Sequence, residues 1–106
     1  MKLGRALRSI TDLIVHTCNP EVILLFGSYA KEQDAPDSDL DLLVIGPFRE
    51  SPYLRELEVR QMLRRYPIQI DLLLYTPEEV AFESRNPHGF ISCILSSGVI
   101  LYKKDP

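Results

Sequence analysis

The sequence predicts an α/β or α+β fold: a small mixed β-sheet flanked by helices. Three observations lead there. Short runs rich in apolar and branched residues, of strand length, lie at 22–26, 39–44, 68–75 and 99–102. Stretches with helical spacing separate most of them. Asn-Pro, Gly-Ser and Gly-Pro pairs mark the junctions.

Leu3, Leu7, Ile10 and Ile14 recur at steps of four, three and four, which places them on one face of a first helix. Asn19-Pro20 ends it, because a residue before proline avoids the helical region. Val22 to Phe26 reads as a buried strand stopped by Gly27-Ser28. Residues 29–38 are polar and contain Pro36, so a short helical turn followed by a loop is expected. Leu40, Leu42 and Val44 then alternate with Asp39, Asp41 and Leu43, the period of a strand, and Gly46-Pro47 closes it. Ser51-Pro52 opens a helix, with Ser51 as N-cap and proline in the first turn, running to about Arg65. Ile68 to Tyr75 is a third strand. Thr76-Pro77-Glu78-Glu79 has the form of a capping box. Asn86-Pro87 interrupts the helical region that follows. Phe90, Ile91, Ile94 and Leu95 make a second apolar stripe, expected to be core. Gly98 suits a left-handed cap, and Val99 to Tyr102 is a last strand.

The chain has 106 residues, the size of one domain, 1–106. Its 45% apolar and 25% charged residues match an ordinary globular protein. A net charge of −3 argues against direct, non-specific nucleic-acid binding, which needs a basic surface. Lys2, Arg5 and Arg8 interrupt any leader-like apolar run, and no stretch approaches the ~20 apolar residues of a membrane span. A cytoplasmic protein with no membrane association is expected. Cys18 and Cys93 lack metal-ligand spacing and read as buried, reduced thiols. His16 and His88 have no partner at ligand spacing. Arg55, Arg60, Arg64 and Arg65 read as a solvated helix face paired with Glu56 and Glu58.

The chemistry concentrates between Gly27 and Val44. Side chains two apart on a strand share a face, so Asp39 and Asp41 project together while Leu40 and Leu42 point to the core. Two adjacent carboxylates repel each other unless a cation neutralises them. Hard oxygen ligands with open positions favour Mg²⁺, which shares carboxylates with substrate phosphates. Asp71 is a third acid, set in the apolar run 70–74. If its strand neighbours that of Asp41, the three complete a carboxylate site able to hold two metals for an in-line displacement. Gly27 and Ser28 offer a tight turn, backbone N–H groups and a hydroxyl to a triphosphate tail, with Lys31 a further candidate for phosphate contact. A calcium loop starting at Asp37 fails, because Leu42 and Phe48 stand where glycine and glutamate are needed. No Gly-Lys-Ser/Thr follows Gly27, which excludes a P-loop.

This stretch resembles the signature of the DNA polymerase beta-type nucleotidyltransferase superfamily, in its minimal nucleotidyltransferase branch: Gly-Ser, ten residues, then Asp-x-Asp among apolar residues. Gly27-Ser28 and Asp39-Leu40-Asp41 carry it, and Asp71 matches the third acid. The resemblance implies the nucleotidyltransferase fold. It implies that Asp39, Asp41 and Asp71 are catalytic and ligate two Mg²⁺ ions, that Ser28 contacts terminal phosphates, and that ATP is the nucleoside triphosphate donor. Ala30-Lys31-Glu32 departs from the frequent Ala-Arg-Gly; lysine keeps the charge but loses bidentate geometry. Minimal members commonly serve as antitoxins beside a helical HEPN-type toxin and modify it. The implied function is therefore transfer of AMP to a hydroxyl of such a partner. The alternatives are a binding antitoxin acting by occlusion, which Lys31-Glu32 keeps open, and transfer to a small molecule of the aminoglycoside type.

Overall fold

The structure is a computed structural model that describes residues 3–27 and 40–105. Ser28, Lys31, Asp39 and the turn expected over 29–38 lie outside the described residues. The elements run α1 (Leu3–Cys18), β1 (Val22–Phe26), β2 (Leu40–Ile45), α2 (Pro52–Leu63), β3 (Ile70–Tyr75), α3 (Pro77–Glu83), α4 (Phe90–Ser97) and β4 (Val99–Lys103). They build a four-stranded mixed sheet in the order β3-β2-β1-β4. β1 is antiparallel to both β2 and β4, whereas β2 and β3 run parallel, joined by the α2 crossover that parallel pairing requires.

Alternation along the strands divides the sheet into two faces. Leu40, Leu42 and Val44 of β2, with Ile70, Leu72 and Leu74 of β3, point to one face together with Ile23 and Leu25. Ile10 and Ile14 of α1 and Val59 and Leu63 of α2 cover them. The opposite face carries Leu24, Leu43 and Ile45, closed by Ile91 and Ile94 of α4 and by Val80 of α3. The expected α4 stripe is thus half right. Ile91 and Ile94 are buried, but Phe90 is 60% and Leu95 41% exposed, because the eight-residue helix turns only one side to the sheet and both residues lie at the margin of that side.

Helix ends follow local chemistry with two exceptions. Asn19 takes φ +48°, the left-handed conformation asparagine tolerates, and its N–H caps the Val15 carbonyl before Pro20. The capping box before α3 is complete: Glu79 N–H donates to Thr76 Oγ1 and Thr76 N–H to Glu79 Oε1. Ser51 stands at the N-cap of α2, but its side chain makes no capping bond. Gly98 is not left-handed; at φ −72° and ψ 159° it is extended and leads directly into β4. Glycine is needed there for approach, since a Cβ would lie 2.7 Å from the Ile94 carbonyl oxygen and 3.2 Å from that of Leu25.

The α2 arginines split. Arg60 forms the expected i,i+4 pair with Glu56 at 2.8 Å, both half exposed, and donates to the Ile70 carbonyl at 3.1 Å. Arg55 is not solvated. It is 5% exposed, pairs with Glu79 at 2.7 Å, donates to the carbonyls of Leu74 and Glu50, and stacks over Phe48. Nε, Nη1 and Nη2 of the guanidinium each donate to an acceptor, which is what burying a cation demands. Of the two thiols, Cys93 is exposed, against expectation, while Cys18 is half-buried; burial, then the nearby Glu50 and Glu58, push the Cys18 thiol up. His16 and His88 are both exposed. Among the described residues no helix is long and apolar enough to cross a membrane.

Candidate active site

Three strands contribute to the site through one register. Phe26 of β1 stands opposite Asp41 of β2, and Asp41 stands opposite Asp71 of β3. All three lie on the α4 face. The next row on that face is Leu24, Leu43 and Leu73, and the one after it Val22, Ile45 and Tyr75. The face therefore changes character along its length: two apolar rows under the helices, then a row bearing two carboxylates.

The β3 strand is where the sequence reading required it. It lies beside β2, in parallel, and the two aspartates are direct neighbours. Adjacent strands are about 4.8 Å apart, so two same-face carboxylates in register can share a ligand. Both residues are half-buried. Their donors are hard oxygens, and neither cysteine nor histidine belongs to the row. That set suits Mg²⁺ bound jointly with phosphate oxygens, and does not suit a soft metal. Among the described residues no group of three potential ligands gathers; Asp39, the remaining candidate ligand, lies outside them.

Gly27 closes the row at the end of β1. Its φ of +78° is the left-handed region that favours glycine. A Cβ there would overlap the Asp41 carboxylate, so the absent side chain is what lets the turn and the acid occupy adjoining space. The Gly-Ser motif thus has a local physical reason: the backbone turns sharply while passing against a carboxylate. Ser28 and Lys31, the other expected phosphate contacts, fall outside the described residues.

An aromatic pair marks the β1 end of the row; the sequence placed Phe90 in a core stripe and did not show its pairing with Phe26. Phe90, the first residue of α4, meets Phe26 edge to face, with centroids 5.7 Å apart and planes at 81°. Gly89 at the N-cap after Asn86-Pro87 was the available signal, since it makes Phe90 the helix start.

A second polar cluster lies at the other end of β3. Arg55, Leu74, Tyr75, Glu78, Glu79, Phe82 and Glu83 line, with Pro52, a cavity of about 410 Å³. Burial raises the Glu79 carboxyl, but the Thr76 hydrogen bonds and the Arg55 guanidinium outweigh it, leaving the group below the ordinary glutamate range. Burial, then Glu83 and Glu79, raise the Tyr75 phenol. Neither Asp41 nor Asp71 lines this cavity.

Comparison with known proteins agrees with the geometry. Residues 8–106 match the family described as "Polymerase beta, Nucleotidyltransferase". The chain is 34% identical over 113 residues to "Putative protein adenylyltransferase MJ1305" of Methanocaldococcus jannaschii, an alignment covering 95% of this chain and 75% of that protein. Among solved structures it is similar in fold to one named "a putative nucleotidyltransferase from Sulfolobus solfataricus", with TM-score 0.65, 16% identity, and coverage of 94% of this chain and 79% of the other. The toxin-antitoxin MntA-HpeT gives TM-score 0.58 at 20% identity, covering 92% and 72%. A toxin-antitoxin with AMP-PNP gives 0.58 at 19%, covering 92% and 74%. The chain belongs to the polymerase beta-type nucleotidyltransferase family and is a nucleotidyltransferase.

Proposed function

We propose that this nucleotidyltransferase is Mg²⁺-dependent and moves AMP from ATP onto a hydroxyl of a partner protein, as the antitoxin of a HEPN-type toxin. The observation that carries the reading is the in-register pair Asp41–Asp71 on one face of the sheet, beside the left-handed Gly27. The relative named as a protein adenylyltransferase supports AMP and a protein acceptor. The toxin-antitoxin neighbours, one of them with AMP-PNP, support the partner and the nucleotide.

In this reading Asp39, Asp41 and Asp71 would hold two Mg²⁺ ions. The ions would supply charge neutralisation and alignment for an in-line displacement at the α-phosphorus. Asp71 lies on β3, an edge strand of the sheet beside β2. The acceptor oxygen forms the new bond to phosphorus as the bond to pyrophosphate breaks, and the hydroxyl proton passes to solvent. Gly27 and Ser28 receive the triphosphate tail through backbone N–H groups and a hydroxyl, and Lys31 adds a cation for the departing pyrophosphate.

Intact-mass measurement of a HEPN-type toxin co-produced with the chain tests this. Increments of a nucleoside monophosphate should appear with the wild type and vanish with Asp41→Asn. A toxin that stays unmodified, yet is neutralised equally by both proteins, would instead establish occlusion.

A further inference from the structure

Phe90 stands out because an exposed aromatic ring packs against Phe26, at the β1 end of the carboxylate row, rather than in the core. It begins α4, is 60% exposed, and meets Phe26, which is itself the register neighbour of Asp41. The next buried residues of the helix, Ile91 and Ile94, anchor it over Leu24 and Leu43, so the start of α4 is fixed relative to the sheet. Edge-to-face contact with Phe26 holds the ring further. A T-shaped pair occupies one ring edge and one ring face, which leaves most of the exposed surface of Phe90 unused.

A nucleoside triphosphate bound through its phosphates at Asp41 and Asp71 carries its base several ångströms from the metal-binding oxygens, with two apolar faces to shield from water. We infer that Phe90, braced by Phe26, is the platform on which the nucleobase of the donor stacks. This rests on the proposed triphosphate site and adds to it the group that reads the base. Because every base has a π face, such a platform sets affinity for nucleosides over bare polyphosphate. Purines, with the larger ring system, stack better than pyrimidines.

Two Mg²⁺-loaded probes separate the base from the phosphates: ATP and inorganic tripolyphosphate. Phe90→Ala should weaken ATP binding about tenfold, in the range found for base–aromatic stacking, and leave tripolyphosphate unchanged. Phe90→Trp should restore ATP affinity. The emission of 2-aminopurine riboside triphosphate should be quenched by the wild type and by Phe90→Trp, and not by Phe90→Ala. An ATP affinity unaltered in Phe90→Ala would overturn the inference, and so would equal losses for ATP and tripolyphosphate. A wild type that binds neither probe would overturn the proposed function itself, and this inference with it. The ring is mostly exposed, so Phe90→Ala should fold; its melting temperature without ligand checks that.

Discussion

The two faces of the sheet are built from the same strands, one residue out of step, and they serve opposite ends. On the α1–α2 face, Leu40, Leu42 and Val44 run beside Ile70, Leu72 and Leu74 with no polar interruption. On the α4 face the same strands begin with Asp41 and Asp71 before returning to Leu43, Ile45 and Leu73. A period of two lets β2 and β3 hold the fold with one set of side chains while the other set carries the candidate catalytic acids. Residues that differ by a single position should therefore fail in different ways when replaced.

The largest effect expected on either face comes from Leu42→Ala. Leu42 is 0% exposed in the interior cluster, and truncation should cost about 2–5 kcal/mol in chemical denaturation. Turnover per folded molecule should not change. Asp71→Asn is the mirror experiment. If Asp71 holds metal as proposed, this substitution should lower the nucleotidyl-transfer rate on the order of a hundredfold, as loss of several kcal/mol of charge stabilisation implies, with an unchanged denaturation midpoint. A drop in stability matching that of Leu42→Ala would break the division between the faces. Gly27→Ala should touch both. Its φ of +78° costs an L-residue about 1–2 kcal/mol, and the new Cβ must displace the Asp41 carboxylate. Denaturation and transfer assays on one preparation would show the two losses together.

The smallest effect belongs to the other end of β3. Glu79 lies below the ordinary glutamate range in the folded chain, so its contribution to stability is present at neutral pH. It is lost as pH falls from that range through the depressed value. With its side chain 38% exposed, solvent screening limits the contribution to under about 1 kcal/mol. The stability difference between wild type and Glu79→Gln should shrink to nothing across that acidic window and hold constant above it.

Much of this was legible because the signals are local. Strand β1 appears at its expected bounds, Val22–Phe26. The Thr76–Glu79 capping box needs only four consecutive residues, and it forms. The pairing of β2 with β3 was inferred from the oddity of an acid within Ile70-Asp71-Leu72, and the register then set Asp71 against Asp41. Errors arose where distant groups decide. Arg55 reads as a surface charge until Leu74, Glu50 and Glu79 converge on it from other segments. Gly98 reads as a left-handed cap until β1 packs against it and makes close approach the reason for glycine. Phe90 reads as core because helical spacing reports which residues share a face, without reporting where the covering element ends.

The parallel pairing of β3 on the outer edge of the sheet also ties ligand binding to local unfolding. Asp41 and Asp71 face each other only while that edge strand is docked, and among the described residues β2 is its one neighbour within the sheet. Opening of β3 separates the carboxylates while the pairings of β1 with β2 and β4 can persist. A ligand held by both must be released first, so its binding free energy adds directly to the cost of that opening. Amide hydrogen exchange across residues 70–75 should thus slow on nucleotide binding more than exchange in β4, the opposite edge. Through this linkage an edge strand of the fold becomes the one that the proposed substrate would fasten.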